Sequence, residues 1–118
     1  MSLPITLHGL SNCGTCKKAR AWLDTRKLPY RFTDYRAHPV PPARLKAWAT
    51  QIPWEKLVNR SSPTWRKLPE ARKNPVEDAD WLALIAEFPA LVRRPVVTFR
   101  GQVSVGFSDK RFAEMFGA

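Results

Sequence analysis

The stretch Ser11-Asn12-Cys13-Gly14-Thr15-Cys16-Lys17-Lys18 holds both cysteines of the chain, separated by two residues. The apolar run Ile5-Thr6-Leu7 precedes it, and a helical pattern follows at once. A Cys-x-x-Cys at a strand-to-helix junction near the N-terminus is the sequence form of a dithiol redox site. Thiolate rather than thiol is the nucleophile, and the unpaired N–H groups and positive dipole end of a helix N-terminus stabilise that anion. Zinc is the competing use of paired cysteines. It needs about four ligands, whereas this chain offers one cysteine pair and two histidines, so no metal is expected. Cys13 is the candidate nucleophile and Cys16, one helical turn in, is its candidate partner.

Working outward, Pro4 to His8 reads as a short buried strand, and Gly9 as the bend into the cysteine loop. From Gly14 to Asp24 the apolar positions Cys16, Ala19, Trp22 and Leu23 recur at three- and four-residue spacing, one face of a helix. Lys17, Lys18 and Arg20 fall off that face, and the two lysines add positive potential to its first turn. Pro29 to Asp34 alternates aromatic and polar residues, the pattern of a half-buried strand. Strand, helix and strand within about thirty residues make a βαβ unit with a parallel pair.

The proline-rich segment 38–42 breaks regular structure, and Pro41 and Pro42 can open a helix. Leu45, Trp48 and Ala49 then share a helical face. Residues 54–58 and 64–68 read as short helical pieces around the polar loop Asn59-Arg60-Ser61-Ser62-Pro63. Residues 76–88 read as a longer helix, with Ala79, Leu82, Ala83, Ile85 and Ala86 as its apolar positions and Asp78 and Asp80 near its N-terminal end. After the connector 89–94, Val96-Val97-Thr98-Phe99 and residues 103–106 form a hairpin across Arg100-Gly101-Gln102. Ser108 is an N-cap candidate for a last helix, residues 109–116, whose Phe112, Met115 and Phe116 face inward.

At 118 residues and 44% hydrophobic content the chain is long enough for one domain with a real core. No apolar run reaches membrane-spanning length. Met1-Ser2-Leu3-Pro4 lacks the basic and apolar regions of a signal peptide, so a reducing, cytoplasmic setting is expected, where such a pair is catalytic or redox-sensing. The net charge is +10, but the 20 Lys and Arg are spread along the chain. Dispersion of that kind attracts anions in general. It speaks for small anionic substrates or acidic protein partners and against nucleic acid.

Three motifs then coincide. Asn12-Cys13-Gly14-Thr15-Cys16-Lys17-Lys18-Ala19-Arg20 matches the site loop of the ArsC (arsenate reductase) family. Asn59-Arg60-Ser61-Ser62-Pro63-Thr64-Trp65-Arg66-Lys67-Leu68 resembles its mid-chain loop, and Arg93-Arg94-Pro95-Val96-Val97 with Val105-Gly106-Phe107 resembles its C-terminal signature. The Lys-Lys-Ala start, the Thr-Trp-Arg-Lys-Leu segment and the Gly-Phe-Ser-Asp ending look most like the YffB/Spx branch. The resemblance implies an α/β, thioredoxin-like fold (βαβ…ββα, a mixed four-stranded sheet), with a helical subdomain inserted. The whole, 1–118, would be one ArsC-like domain with its core in 1–36 and 91–118 and its insert in 37–90.

By the same resemblance Cys13 is the nucleophile of a thiol-dependent reductase, and Arg60 and Arg94 hold an oxyanion beside it. Guanidinium forks suit that task, binding tetrahedral oxyanions and lowering a neighbouring thiol's pKa. Arg93 is the alternative to Arg94, but the residue directly before proline is the family match. Pro95 matches the proline held in cis facing the cysteine. The substrate would be a small anion or a glutathione-type disulfide, resolved by Cys16 or by glutathione acting as co-substrate, with no bound cofactor. Arsenate reductases proper carry a third arginine on the later strand, where Val103-Ser104-Val105-Gly106 has none, which argues against arsenate itself. Cys16 stands where those enzymes usually have serine. His8, five residues before Cys13, is a secondary candidate for polarising the thiol, as are Gly14 and Thr15 within the loop; His38 is a weaker one. The alternative is an Spx-type regulator that binds RNA polymerase through a Cys13–Cys16 disulfide switch.

Overall fold

Along β1 (Ile5–Gly9) the buried side chains of Ile5 and Leu7 face one way, while Thr6 and His8 face the other. The computed structural model describes residues 5–117, so the expected strand residue Pro4 lies outside the described residues. Gly9 closes the strand rather than leaving it, pairing in register with Asp34. A helix, α1 (Gly14–Thr25), follows the cysteine loop and buries Cys16, Ala19, Trp22 and Leu23, the four positions its spacing picks out. Next, β2 (Arg31–Asp34) runs parallel to β1.

Further along the chain come α2 (Pro42–Ala49), α3 (Trp54–Leu57), α4 (Pro63–Arg66), α5 (Asp78–Glu87), β3 (Val96–Phe99) and β4 (Gln102–Val105), followed by the C-terminal helix α6 (Asp109–Phe116). The four strands form one mixed sheet in the order β2-β1-β3-β4, with β3 antiparallel to both of its neighbours. Arg100 and Gly101 alone turn the hairpin, with φ of 51° and 81°. Two positive φ values in a row give the turn a hand that suits the twist of the flanking strands.

The chain divides into two compact units, residues 5–38 with 94–117 and residues 39–93. In the first, Ile5, Leu7 and Val97 from the sheet meet Ala19, Trp22 and Leu23 of α1 and Phe112 of α6. Phe112 lies edge-on to Trp22, Phe107 and Phe116 at centroid distances of 5.5, 4.7 and 5.3 Å. That edge-to-face packing is the geometry aromatic quadrupoles favour. Ser108 caps α6 by accepting the Arg111 N–H, and Gly117 ends it at a left-handed φ of 69°.

The second unit is built on tryptophan. Trp81 of α5 stacks between Trp54 and Trp65, at 6.2 and 6.0 Å, and the Trp54 indole N–H donates to Asp78. This corrects the expected face of α5. Trp81, Leu84 and Ile85 are its buried residues, whereas Ala79, Ala83 and Ala86 do not join them. Alanines at helical spacing satisfy the period without specifying a side, and the far larger apolar area of Trp81 decides which side turns inward. Asp80 accepts the N–H groups of Val76 and Glu77, which closes the N-terminus of the helix and holds its carboxyl below the usual range.

Trp81→Ala is therefore expected to destabilise the protein by about 3–5 kcal/mol in urea unfolding. Ala86→Ser, on the exposed side, should stay within about 0.5 kcal/mol of wild type. The reverse order would place Ala86 rather than Trp81 in the core.

Candidate active site

Cys13 is the N-cap of α1, half-buried, with extended backbone angles and its N–H bonded to the Leu10 carbonyl at 3.2 Å. A neutral thiol is a poor acceptor and makes no regular capping bond here. The thiolate is different. Burial pushes its pKa up, but the Cys16 N–H, the Cys16 thiol, the Thr15 N–H and the Arg94 charge together hold the Cys13 thiol below its ordinary value. Free N–H groups at a helix start act on an anion in this way, and no acidic side chain in the first turn of α1 opposes them.

Cys16 responds in the opposite direction. It is fully buried, and burial, followed by its hydrogen bond to and repulsion from Cys13, pushes it up to about 11 despite the Leu10 backbone. The two sulfurs thus share one proton unequally. It stays on Cys16, whose S–H donates to the Cys13 thiolate.

Two neighbours shape the surroundings of these thiols in roles that the sequence pattern does not show. A Cβ built on Gly9 would lie 2.5 Å from the Cys16 sulfur, so Gly9 is where the sheet gives way to that thiol. Asp34, at the end of β2, accepts the Ser11 N–H at 3.1 Å and the Arg36 N–H at 2.8 Å. Those N–H groups hold its carboxyl below the usual range, and its ionised form ties the cysteine loop to the sheet. The nearest sequence signal is a glycine and an acid at the ends of two adjacent strands, which by itself reads as ordinary turn chemistry.

The other candidates divide. Arg94 lies in the same unit as the cysteines and its charge acts on both. Pro95, which follows it through a cis peptide bond, is fully buried, and its carbonyl accepts the Gly106 N–H at 2.9 Å. Arg93 is occupied elsewhere. Its N–H and Nε donate to the carbonyls of Leu57 and Lys56 at 2.8 and 2.9 Å, inside the second unit. Arg60 is exposed in the turn that Asn59 and Ser62 organise before α4, also in the second unit.

His8 is buried, 4% exposed, on the face of β1 opposite Ile5 and Leu7. Thr15 contributes its N–H while its side chain is exposed. Gly14 has open space where a Cβ would stand, so no contact demands a glycine there. His38 is exposed. Among the described residues no three His, Cys, Asp or Glu side chains gather as metal ligands, and no helix is long and apolar enough to cross a membrane. A cavity of about 300 Å³ in the second unit holds Arg72 and Asp80, but Glu87 pairs with the first and the N-terminus of α5 engages the second.

The cysteine Cβ resonances should therefore titrate with pH in two steps. The first step, below the ordinary thiol range, should vanish in Cys13→Ser; the second, near pH 11, should vanish in Cys16→Ser. Removing Cys13 should also bring the Cys16 step down, because the charge that raises it is gone. Gly9→Ala should shift the second step and leave the order of the two unchanged. Two steps at one pH, or a first step surviving Cys13→Ser, would reverse the assignment.

These observations converge with comparisons to known proteins. The model of the ArsC family matches residues 8–115. A solved YffB protein is 36% identical, covering 93% of this chain and 96% of that one, with a TM-score of 0.87. An uncharacterized Haemophilus influenzae protein is 37% identical over 95% of this chain and 98% of its own length. The global transcriptional regulator Spx of Enterococcus faecalis is 31% identical over 89% of this chain and 80% of its own. An arsenate reductase of Vibrio cholerae, 18% identical, shares the fold with a TM-score of 0.82 over 98% of this chain and all of that one, 100%. With a mixed four-stranded sheet, a thioredoxin-like α/β fold and its cysteine pair at the start of α1, the chain belongs to the ArsC family, in its YffB/Spx branch.

Proposed function

We propose that this protein is a cytosolic thiol-dependent reductase that acts on a small oxidised anion or a glutathione-type disulfide. The observation that carries the reading is the unequal placement of the two thiols, Cys13 half-buried at the N-cap of α1 and Cys16 fully buried one turn in, which lowers the pKa of the first and raises that of the second. Such a pair has a nucleophile and a resolving thiol built in.

With a disulfide substrate, the Cys13 thiolate attacks one sulfur, the S–S bond breaks, and the first thiolate leaves. The Cys13 charge is now gone, and with it the repulsion that raised Cys16. Cys16 loses its proton to solvent and attacks the Cys13 sulfur. A Cys13–Cys16 disulfide forms, and the second substrate thiolate leaves and takes up a proton. Two electrons have passed from protein to substrate, and two equivalents of an external thiol such as glutathione return them. Arg94 meets the anionic part of the substrate, and Arg60 is the second guanidinium that the family pattern supplies. A third arginine is missing from β4, whose residues are Gln102, Val103, Ser104 and Val105, so a disulfide suits this site better than arsenate.

The likeness to Spx supports a second reading, a redox-sensing regulator in which the same disulfide alters binding to RNA polymerase. Purified protein separates the two. Supplied with excess glutathione, it should turn over a glutathionylated disulfide faster than arsenate. Cys13→Ser should abolish that turnover, and Cys16→Ser should make it depend more steeply on external thiol. Absence of turnover with both substrates, together with oxidation-dependent polymerase binding, would replace the enzyme by the regulator.

A further inference from the structure

Tyr35 follows β2 directly and is 3% exposed, with its N–H donating to the Gly9 carbonyl at 2.9 Å. That bond extends the β1–β2 pairing by one step and anchors Tyr35 to the residue that backs the Cys16 sulfur. Nothing in the alternation of residues 29–34 selects it.

We propose that Tyr35 is a positioning residue for the anion site, its hydroxyl accepting a hydrogen bond from the Arg94 guanidinium and holding that cation toward the two thiols. The inference rests on the reading of Arg94 as the anion-binding group. An arginine side chain has many rotamers, so a guanidinium that must face one sulfur needs a partner to fix it. A carboxylate would fix it and cancel its charge. A phenol fixes it and leaves the charge whole, provided it stays neutral. Burial, opposed by Arg94 and reinforced by the charges of Cys16 and Cys13, pushes the Tyr35 hydroxyl up to about 12, so it is neutral throughout the working range. Pro95, buried and bonded through its carbonyl to Gly106, fixes the backbone on the other side of Arg94. The backbone beside Arg94 is thus fixed, and the Tyr35 hydroxyl fixes the tip of its side chain.

The test uses the full chain and needs no physiological substrate. The pH profile of iodoacetamide alkylation and its protection by inorganic sulfate are measured for wild type, Tyr35→Phe, Arg94→Gln and the double variant. Phenylalanine keeps the packing and removes the hydroxyl. Tyr35→Phe should move the Cys13 step upward and weaken sulfate protection by about threefold or more, a hydrogen bond to a charged group being lost. The double variant should match Arg94→Gln alone, because the tyrosine acts through the arginine. A wild-type profile for Tyr35→Phe alongside an altered Arg94→Gln would overturn the proposal and leave the anion site standing. Unchanged behaviour of Arg94→Gln would overturn the anion site and the proposal with it. Should Tyr35→Phe unfold, the Arg94 Nε–H resonance of wild type decides: rigid relaxation supports the proposal, and free side-chain motion refutes it.

Discussion

The lowered pKa of the Cys13 thiol, at the N-cap of α1, is the constraint that the surrounding unit serves. Burial alone would keep Cys13 protonated and inert. Two helix-start N–H groups, the thiol one turn further in and a guanidinium together outweigh that burial. Three of these donors belong to α1 and the fourth comes from far along the chain. The N–H groups come with the helix, the Cys16 thiol with its buried face, and Arg94 with the segment before β3. Only an assembled sheet brings all of them to one atom, so folding and thiol activation are one event.

The same sheet explains why the two cysteines differ. Cys16 is fully buried and lies against Gly9, whereas Cys13 keeps one side open to solvent. Desolvation penalises the deeper thiolate more, and a shared proton then settles on the deeper sulfur. In the proposed reduction this difference in depth sets the order, outer thiol first and inner thiol second. The second unit rests on different physics, a stack of Trp54, Trp81 and Trp65 with an indole N–H satisfied by Asp78.

Much of this is legible in the order of the residues. The face of α1 can be read from Cys16, Ala19, Trp22 and Leu23, because large apolar residues at helical spacing leave one side to bury. The Arg100-Gly101 turn is legible because a glycine between two β-branched runs has few other uses. The buried face of α5 is not, since alanines fit every side and the choice falls to how Trp81 stacks on Trp54 and Trp65, far back along the chain. The roles of Gly9, Asp34 and Tyr35 are equally hidden. Each depends on what lies across a strand pair, and a glycine, an aspartate and a tyrosine near strand ends are common for reasons unrelated to chemistry.

Residue type and local spacing alone set the chemistry on offer: two thiols two residues apart at a helix start, and an arginine before a proline. Those properties belong to the chain even before it folds. Which thiol keeps the proton, and which of two adjacent arginines acts on it, is settled by the folded arrangement. Arg93 donates to Lys56 and Leu57, while Arg94 acts on both thiols. The physical reason is that acidity and hydrogen bonding depend on burial and on partners distant along the chain, which exist only once the sheet has brought them together.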